Sequence, residues 1–197
     1  MFTIERQVVE TLDISMESRF AAAYCIYDQA PWLRKSYASI YDVVGSILFC
    51  VSSQPWRGPE RDNSAVLQCI LDLPDPCQKV RIVRGDWREE APQRNSALDA
   101  IRDMGFPYCF VVDGDEVYDT GQLEAMAHYA ERDPGVSVWH MEWNTYWKSP
   151  YYRIEPREPF RPVVFASTER ARFRKNRAAE GEGHAVIPSE VGICHQL

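Results

Sequence analysis

Residues 106–120 read Phe-Pro-Tyr-Cys-Phe-Val-Val-Asp-Gly-Asp-Glu-Val-Tyr-Asp-Thr. Tyr108–Val112 is an unbroken apolar run of β-prone residues, the pattern of a strand buried on both faces. Asp113, Asp115 and Glu116 follow it at once. Carboxylates at the end of a buried strand lose hydration and need a compensating positive charge. A hard divalent cation, Mg²⁺ or Mn²⁺, is the partner this suggests: it takes carboxylate oxygens and leaves positions open for phosphate. Gly114 lets the backbone turn tightly and approach a ligand. The plainer reading is a strand-to-helix turn. It suits Asp119, which with Gln122 looks like a helix cap, but it leaves Asp113 and Asp115 unexplained.

The chain has 197 residues, 45% hydrophobic and 26% charged, enough for one globular domain. No apolar run approaches the ~20 residues of a membrane span, and the N-terminus lacks the layout of a secretory signal. The six cysteines (25, 50, 69, 77, 109 and 194) form no C-x-x-C pair. Buried thiols in a reducing, cytoplasmic setting are the expectation, rather than disulfides or zinc ligands. A net charge of −7 argues against nucleic acid as a partner. An anionic ligand would need a metal or clustered arginines.

Residues 1–19 are ambiguous between an edge strand and a short helix, with Ile4, Val8, Val9 and Leu12 loosely patterned. Phe20–Tyr27 then reads as a buried strand ending in Asp28. A helix follows from Pro31, with Leu33, Tyr37, Ile40, Tyr41 and Val44 on one face. Ile47–Val51 is a second strand, and Val66, Cys69, Ile70 and Leu73 mark a second helix. Val80–Val83 is a third strand, followed by Gly85-Asp86-Trp87 and a helix over Gln93–Met104. The strand at Tyr108–Val112 and a helix carrying Leu123, Met126 and Ala130 complete four βα units. Such alternation predicts a mostly parallel sheet with helices on both faces, and ligands bind beyond the carboxyl ends of its strands, where Asp28, Ser52, Asp86 and Asp113 lie. Past residue 135, Val136–Trp147, Tyr151–Ile154, Pro162–Phe165 and Ala171–Arg174 read as strands in a mixed or antiparallel extension, with Trp139 and Trp143 on a core face. The expected organisation is one unit over 1–197, with a ligand-binding βα half at 20–134 and a strand-rich half at 135–197.

Five stretches in this order resemble a glycosyltransferase of the GT-A fold, closest to the broad family 2 type. They are Cys25-Ile26-Tyr27-Asp28, Pro55-Trp56-Arg57-Gly58, Gly85-Asp86-Trp87, Gln93-Arg94-Asn95 and Val112-Asp113-Gly114-Asp115-Glu116-Val117-Tyr118, the last resembling the family's D-x-D motif. The resemblance covers about residues 20–147. It implies an α/β GT-A fold, a UDP- or GDP-sugar donor, a Mn²⁺ or Mg²⁺ ion and transfer to an acceptor, with inversion as the expected outcome. By the same likeness Asp115 holds the metal, and Asp113 faces the donor's ribose or sugar as well as the metal. Arg94 touches the diphosphate or nucleotide, Asn95 orients the loop, and Tyr27 and Trp87 flank the base, with Asp28 and Asp86 beside them.

An inverting transfer needs a base for the acceptor proton; Glu142 is the favoured candidate, before Glu180, Glu182 and Glu190. A late histidine often completes the family's metal site, which makes His195 or His184 a candidate ligand. Family members commonly continue past the point where this chain stops, so a truncated acceptor side is an expectation too. Arg170–Arg177 is strongly basic and reads either as a solvated hairpin face or as a phosphate clamp. Trp147 and Lys148 stand where an acceptor could be met. The competing readings are a nucleotidyltransferase, disfavoured by Asp28-Gln29-Ala30-Pro31 where a Gly-rich basic loop would be expected, and a non-catalytic nucleotide-binding module.

Overall fold

A computed structural model describes residues 18–28, 31–147, 149 and 151–197. The readings for residues 1–17, Gln29, Ala30 and Lys148 lie outside them. The elements run β1 (Phe20–Ile26), α1 (Leu33–Ile40), β2 (Ser46–Ser52), α2 (Ser64–Leu71), β3 (Val80–Gly85), α3 (Glu90–Asp103), β4 (Tyr108–Val112), β5 (Glu116–Val117) and α4 (Thr120–Glu131). Among the described residues the second half holds strands and no helix: β6 (Val138–His140), β7 (Trp143–Thr145), β8 (Val163–Ser167), β9 (Arg172–Lys175), β10 (Ala178–Glu180), β11 (His184–Val186) and β12 (Cys194–Gln196).

The fold is α/β, as the alternation predicts. Seven strands form the central sheet in the order β11-β6-β8-β4-β1-β2-β3. Strand β8 runs antiparallel to both neighbours, β4 and β6; the other pairings in that sheet are parallel. The apolar runs of β1, β2 and β4 are central and almost wholly buried. Their two faces carry separate cores. Tyr24, Phe49 and Phe110 pack with Leu33, Tyr37 and Ile40 of α1, Ile70 of α2 and Met126 of α4. Ala21, Ala23 and Leu48 pack on the other side with Leu98 and Ile101 of α3 and with Phe173 of the β9–β10 hairpin. The small Ala21 and Ala23 side chains let α3 lie close to the sheet.

Local differences from the sequence reading have local causes. Helix α3 begins at Glu90, ahead of Pro92, because proline is tolerated in a first turn whose N–H groups have no helical partner. Asp119 caps α4 as read, accepting from the Gln122 N–H at 2.9 Å. The expected strand at Tyr151–Ile154 reduces to one bridge, Tyr146 to Arg153; residues 151–161 are exposed throughout, so no core face holds a strand there. Strands β5, β12 and β7 form a small separate sheet that ties the acidic turn to the end of the chain.

The carboxyl ends of β2 and β3 are fastened by one buried hydroxyl. Ser52 Oγ donates to the Trp87 carbonyl at 3.0 Å and accepts from the Trp87 N–H at 3.1 Å and the Gln54 N–H at 3.1 Å. Ser52→Ala removes these partners together. It is expected to destabilise the fold by about 1–3 kcal/mol, measured by urea unfolding; a loss within experimental error would show that the two loops do not depend on it.

Candidate functional site

The turn after β4 is answered by two buried arginines. Arg94, on α3 and 3% exposed, donates from Nη2 to Asp113 Oδ1 at 2.8 Å and from Nε to Glu90 at 2.7 Å. Arg177, between β9 and β10 and 4% exposed, donates from Nη1 to Asp113 Oδ2 at 3.1 Å. It also pairs closely with the fully buried Glu116, and gives Nη2 to the Val111 carbonyl at 2.7 Å and Nε to the Val163 carbonyl at 3.0 Å. Glu116 accepts further from the Asp113 N–H and the Tyr118 hydroxyl, both at 3.1 Å.

Burial by itself would raise the Asp113 pKa, but Arg94 and Arg177 outweigh it and hold the carboxyl down at about 2. Burial would likewise discharge Arg177; Glu116 and Asp113 reverse this and hold it charged well above the usual arginine range. Burial pushes the Glu116 carboxyl up, against the pull of Arg177. Four donors reach its oxygens: Arg177 Nη1 and Nη2, the Asp113 N–H and the Tyr118 hydroxyl.

Both oxygens of Asp113 hold arginine. Asp115 differs: no arginine or lysine pairs with it among the described residues, and burial followed by the nearby Asp113 charge raises its pKa. No group of three His, Cys, Asp or Glu side chains gathers among the described residues as a protein-built metal cage would need. Mg²⁺ needs no such cage where one carboxylate and a ligand's phosphates supply the oxygens. The residues therefore fit a metal held by Asp115 together with a diphosphate.

Two cavities flank the turn. One, of about 740 Å³, opens at the carboxyl ends of β1 and β2. Tyr27 and Asp28 line it with Trp56, Gly114, Arg57 and Arg88, and the tip of the β9–β10 hairpin adds Arg174 and Lys175. The other, of about 410 Å³, lies on the Asp115 side and includes Tyr146 and Trp147. Of the basic run, Arg172 instead pairs with Asp99, and Arg170 holds the Pro134 and Val136 carbonyls. Arg174 pairs with Glu180, and Arg177 is the buried member of the run.

Other expected residues are placed differently. Asp86 and Trp87 border a neighbouring shallow cavity of about 330 Å³ that shares Arg88 and Glu89 with the large one. The Trp87 ring lies across Gly85 and against the α3-side core. Trp56 takes the place beside the large cavity that the sequence reading gave to Trp87, its indole N–H donating to Gln93 at 2.7 Å. Asn95 clamps β9, its amide bonding both the N–H and the carbonyl of Phe173. Glu142 has an arginine on each oxygen, Arg157 at 2.9 Å and Arg161 at 3.3 Å, and lines neither large cavity. His195 touches the Tyr146 hydroxyl at 3.3 Å. Side chains alternate along β12, so the Gln196 amide that bonds Asp115 and the His195 ring point to opposite faces. His184 lies against His140, Nδ1 to Nε2 at 3.1 Å.

The site's missed member is Arg177. Its signal was the unexplained acidity of Asp113 and Glu116, but its basic neighbours made it look like a solvated charge. Missed too was the gap left at Arg94. Its Nη1 is buried without a hydrogen-bond partner among the described residues, and its guanidinium carbon lies 5.8 Å from the centres of both the Trp56 and Phe173 rings.

No protein-family model matches the chain, and no curated protein matches it. Solved structures do match. The mannosyltransferase PcManGT from Pyrobaculum calidifontis, in complex with GDP-Man and Mn²⁺, is 20% identical over 69% of this chain and 37% of that one, with a TM-score of 0.47. S. aureus TarS (residues 1–349) is 11% identical over 64% of this chain and 36% of that one, with a TM-score of 0.44. The chain thus matches little more than a third of the length of either structure. Likeness at this level assigns no activity.

Two outcomes follow from the geometry. Arg177→Met leaves the fully buried Glu116 without its cation and Asp113 with Arg94 alone, and is expected to destabilise the protein by about 3–5 kcal/mol in denaturant unfolding; a loss below 1 kcal/mol would contradict the role given to the pair. The second concerns pH. The Arg161 carbonyl, 3.0 Å from His140 Nδ1, can only accept, so Nδ1 carries the proton and Nε2 accepts from His184. Burial, then His184 and Arg161, hold the His140 pKa below the usual histidine value. The unfolded chain therefore takes up this proton first. The contribution is complete above about pH 6.5 and is lost as pH falls toward the depressed folded value. Acidification should lower the Tm of the wild type more than that of His140→Gln, and equal shifts would exclude the histidine as the cause.

Proposed function

We propose that the protein is a GT-A-like glycosyltransferase whose large cavity takes the nucleoside diphosphate of a UDP- or GDP-sugar. One observation carries the reading. The acidic turn leaves Gly114 on a cavity where Arg57, Arg88, Arg174 and Lys175 stand with Asp28, Glu89 and Glu90, and Asp115 on the cavity opposite. An anion fits the first side, and the reacting sugar would lie over the turn between the two. The βα half (20–134) supplies most of the donor site and the second half (135–197) the acceptor side.

The chain's residues divide the work. Tyr27 and Trp56 offer aromatic faces to the base. Arg174 and Lys175 attract the diphosphate, and the Arg94–Asp113–Arg177 lattice fixes the turn so that Asp115 needs little reorganisation. Asp115 would hold a divalent metal, Mn²⁺ or Mg²⁺, which when bound offsets the negative charge of the leaving diphosphate. In the transfer the acceptor oxygen bonds to the anomeric carbon, and the bond from that carbon to the diphosphate oxygen breaks. The nucleoside diphosphate leaves with the electron pair, and the acceptor proton passes to a base. Attack from the side opposite the leaving group gives inversion.

The test is calorimetric titration of the wild type and Asp115→Ala with UDP and with GDP, each with and without Mn²⁺. Micromolar binding that requires the metal and weakens at least about tenfold in the variant, ~1.4 kcal/mol, is the expected result. If neither nucleotide binds under any condition, the donor site is refuted.

A further inference from the structure

The outer edge of the central sheet brings together two histidines that the acidic turn does not use. Strand β11 is the last strand on that side and pairs in parallel with β6 over three residues, His184 opposite Val138 and Val186 opposite His140. Residues two apart on a strand share a face, so His140 and His184 are diagonal neighbours on one side of the sheet. Their rings meet nitrogen to nitrogen, His140 Nε2 at 3.1 Å from His184 Nδ1. The ring centres are 5.4 Å apart and the planes 17° from parallel, so the nitrogens face each other and the rings do not overlap. Neither histidine lines the cavities on the two sides of the turn.

The pair has the features of a borderline-soft metal site. Two imidazoles on a tetrahedral Zn²⁺, each with a bond of about 2.0–2.1 Å, place their nitrogens about 3.3 Å apart. The two nitrogens already stand within a few tenths of an ångström of that spacing. His140 donates its other N–H, at Nδ1, to the Arg161 carbonyl at 3.0 Å. Such a carbonyl partner fixes the tautomer of a metal-bound imidazole and leaves Nε2 to ligate. His184 is exposed, so its ring can turn until both lone pairs meet at one point. Its proton then sits on Nε2 in place of Nδ1, and the ring stays neutral. Arg161, whose charge reaches His140, is itself paired with Glu142. No third His, Cys, Asp or Glu completes a cluster among the described residues, so water fills the remaining positions. Imidazole suits Zn²⁺, whereas Mg²⁺ prefers oxygen ligands.

We propose that His140 and His184 form a zinc-binding site at the sheet edge, where the metal takes the place of their shared hydrogen bond and clamps β11 to β6. The site is separate from the transferase reading and does not depend on it.

The test is calorimetric titration of the full chain with zinc chloride, without nucleotide, at about pH 7.5, where histidine is neutral. Zn²⁺ should bind with micromolar affinity and raise the Tm, and equimolar Mg²⁺ should not displace it. His184→Gln keeps an amide to bond His140 but loses the ligating nitrogen, and should weaken Zn²⁺ at least about tenfold; His140→Gln should do the same. Asp115→Ala and Cys77→Ser should bind as the wild type does, and circular dichroism confirms that each variant is folded. Nitrogen NMR of the imidazoles gives the location: Zn²⁺ should shift His140 Nε2 and His184 Nδ1 and leave His128 and His195 unmoved. The proposal is overturned if no Zn²⁺ binds, if His184→Gln binds it as tightly as the wild type, or if the His128 or His195 resonances move instead.

Discussion

The structure around the turn depends on neutralising carboxylates that the chain buries at the end of its central strand. Glu116 is fully buried, Asp113 directly abuts it, and Arg177 answers both while bonding the carbonyls of Val111 and Val163. One guanidinium thus links the end of β4, the edge of β8 and the β9–β10 hairpin. Its planar array of donors makes this possible; a lysine ammonium has three donors and no fork to match a carboxylate. The lattice puts arginine on both Asp113 and Glu116, leaving Asp115 as the carboxylate of the turn without an arginine partner among the described residues.

The same lattice stands between two cavities. Arginines that face inward neutralise the turn, and those at the hairpin tip and after β2 and β3 face the large cavity. On that side the arginines and Lys175 share the lining with Asp28, Glu89 and Glu90. On the other side the lining is aromatic and hydroxyl-bonding. The boundary between the two cavities is two residues wide: Gly114 faces one and Asp115 the other.

Much of the fold was legible in the chain. The runs at Phe20–Ile26, Ile47–Val51 and Tyr108–Val112 are central strands, and the stripes at Leu33–Ile40 and Leu123–Ala130 are helices packed on one core. What was illegible was the fine structure of the second half. Strands β10, β11 and β12 are three residues each and carry no periodicity long enough to read, while the aromatic Tyr151–Ile154 segment looks like a strand and is exposed. Short strands exist because a neighbour pairs with them, and pairing is not a property of the segment.

By itself the sequence determined the βα alternation, the acidic turn after the fourth strand and its cap at Asp119. Hydrophobic period, turn residues and capping all act within a few neighbours. It also determined that the carboxylates of the turn require a positive partner, since desolvation demands one wherever the chain folds. Only the tertiary structure decided which partner. Arg177 lies 61 residues beyond Glu116 and reaches it through an antiparallel strand and a hairpin. Its neighbours Arg172 and Arg174, of the same residue type, pair instead with Asp99 and Glu180. Local chemistry sets the charge that must be neutralised, and three-dimensional packing selects the residue that neutralises it.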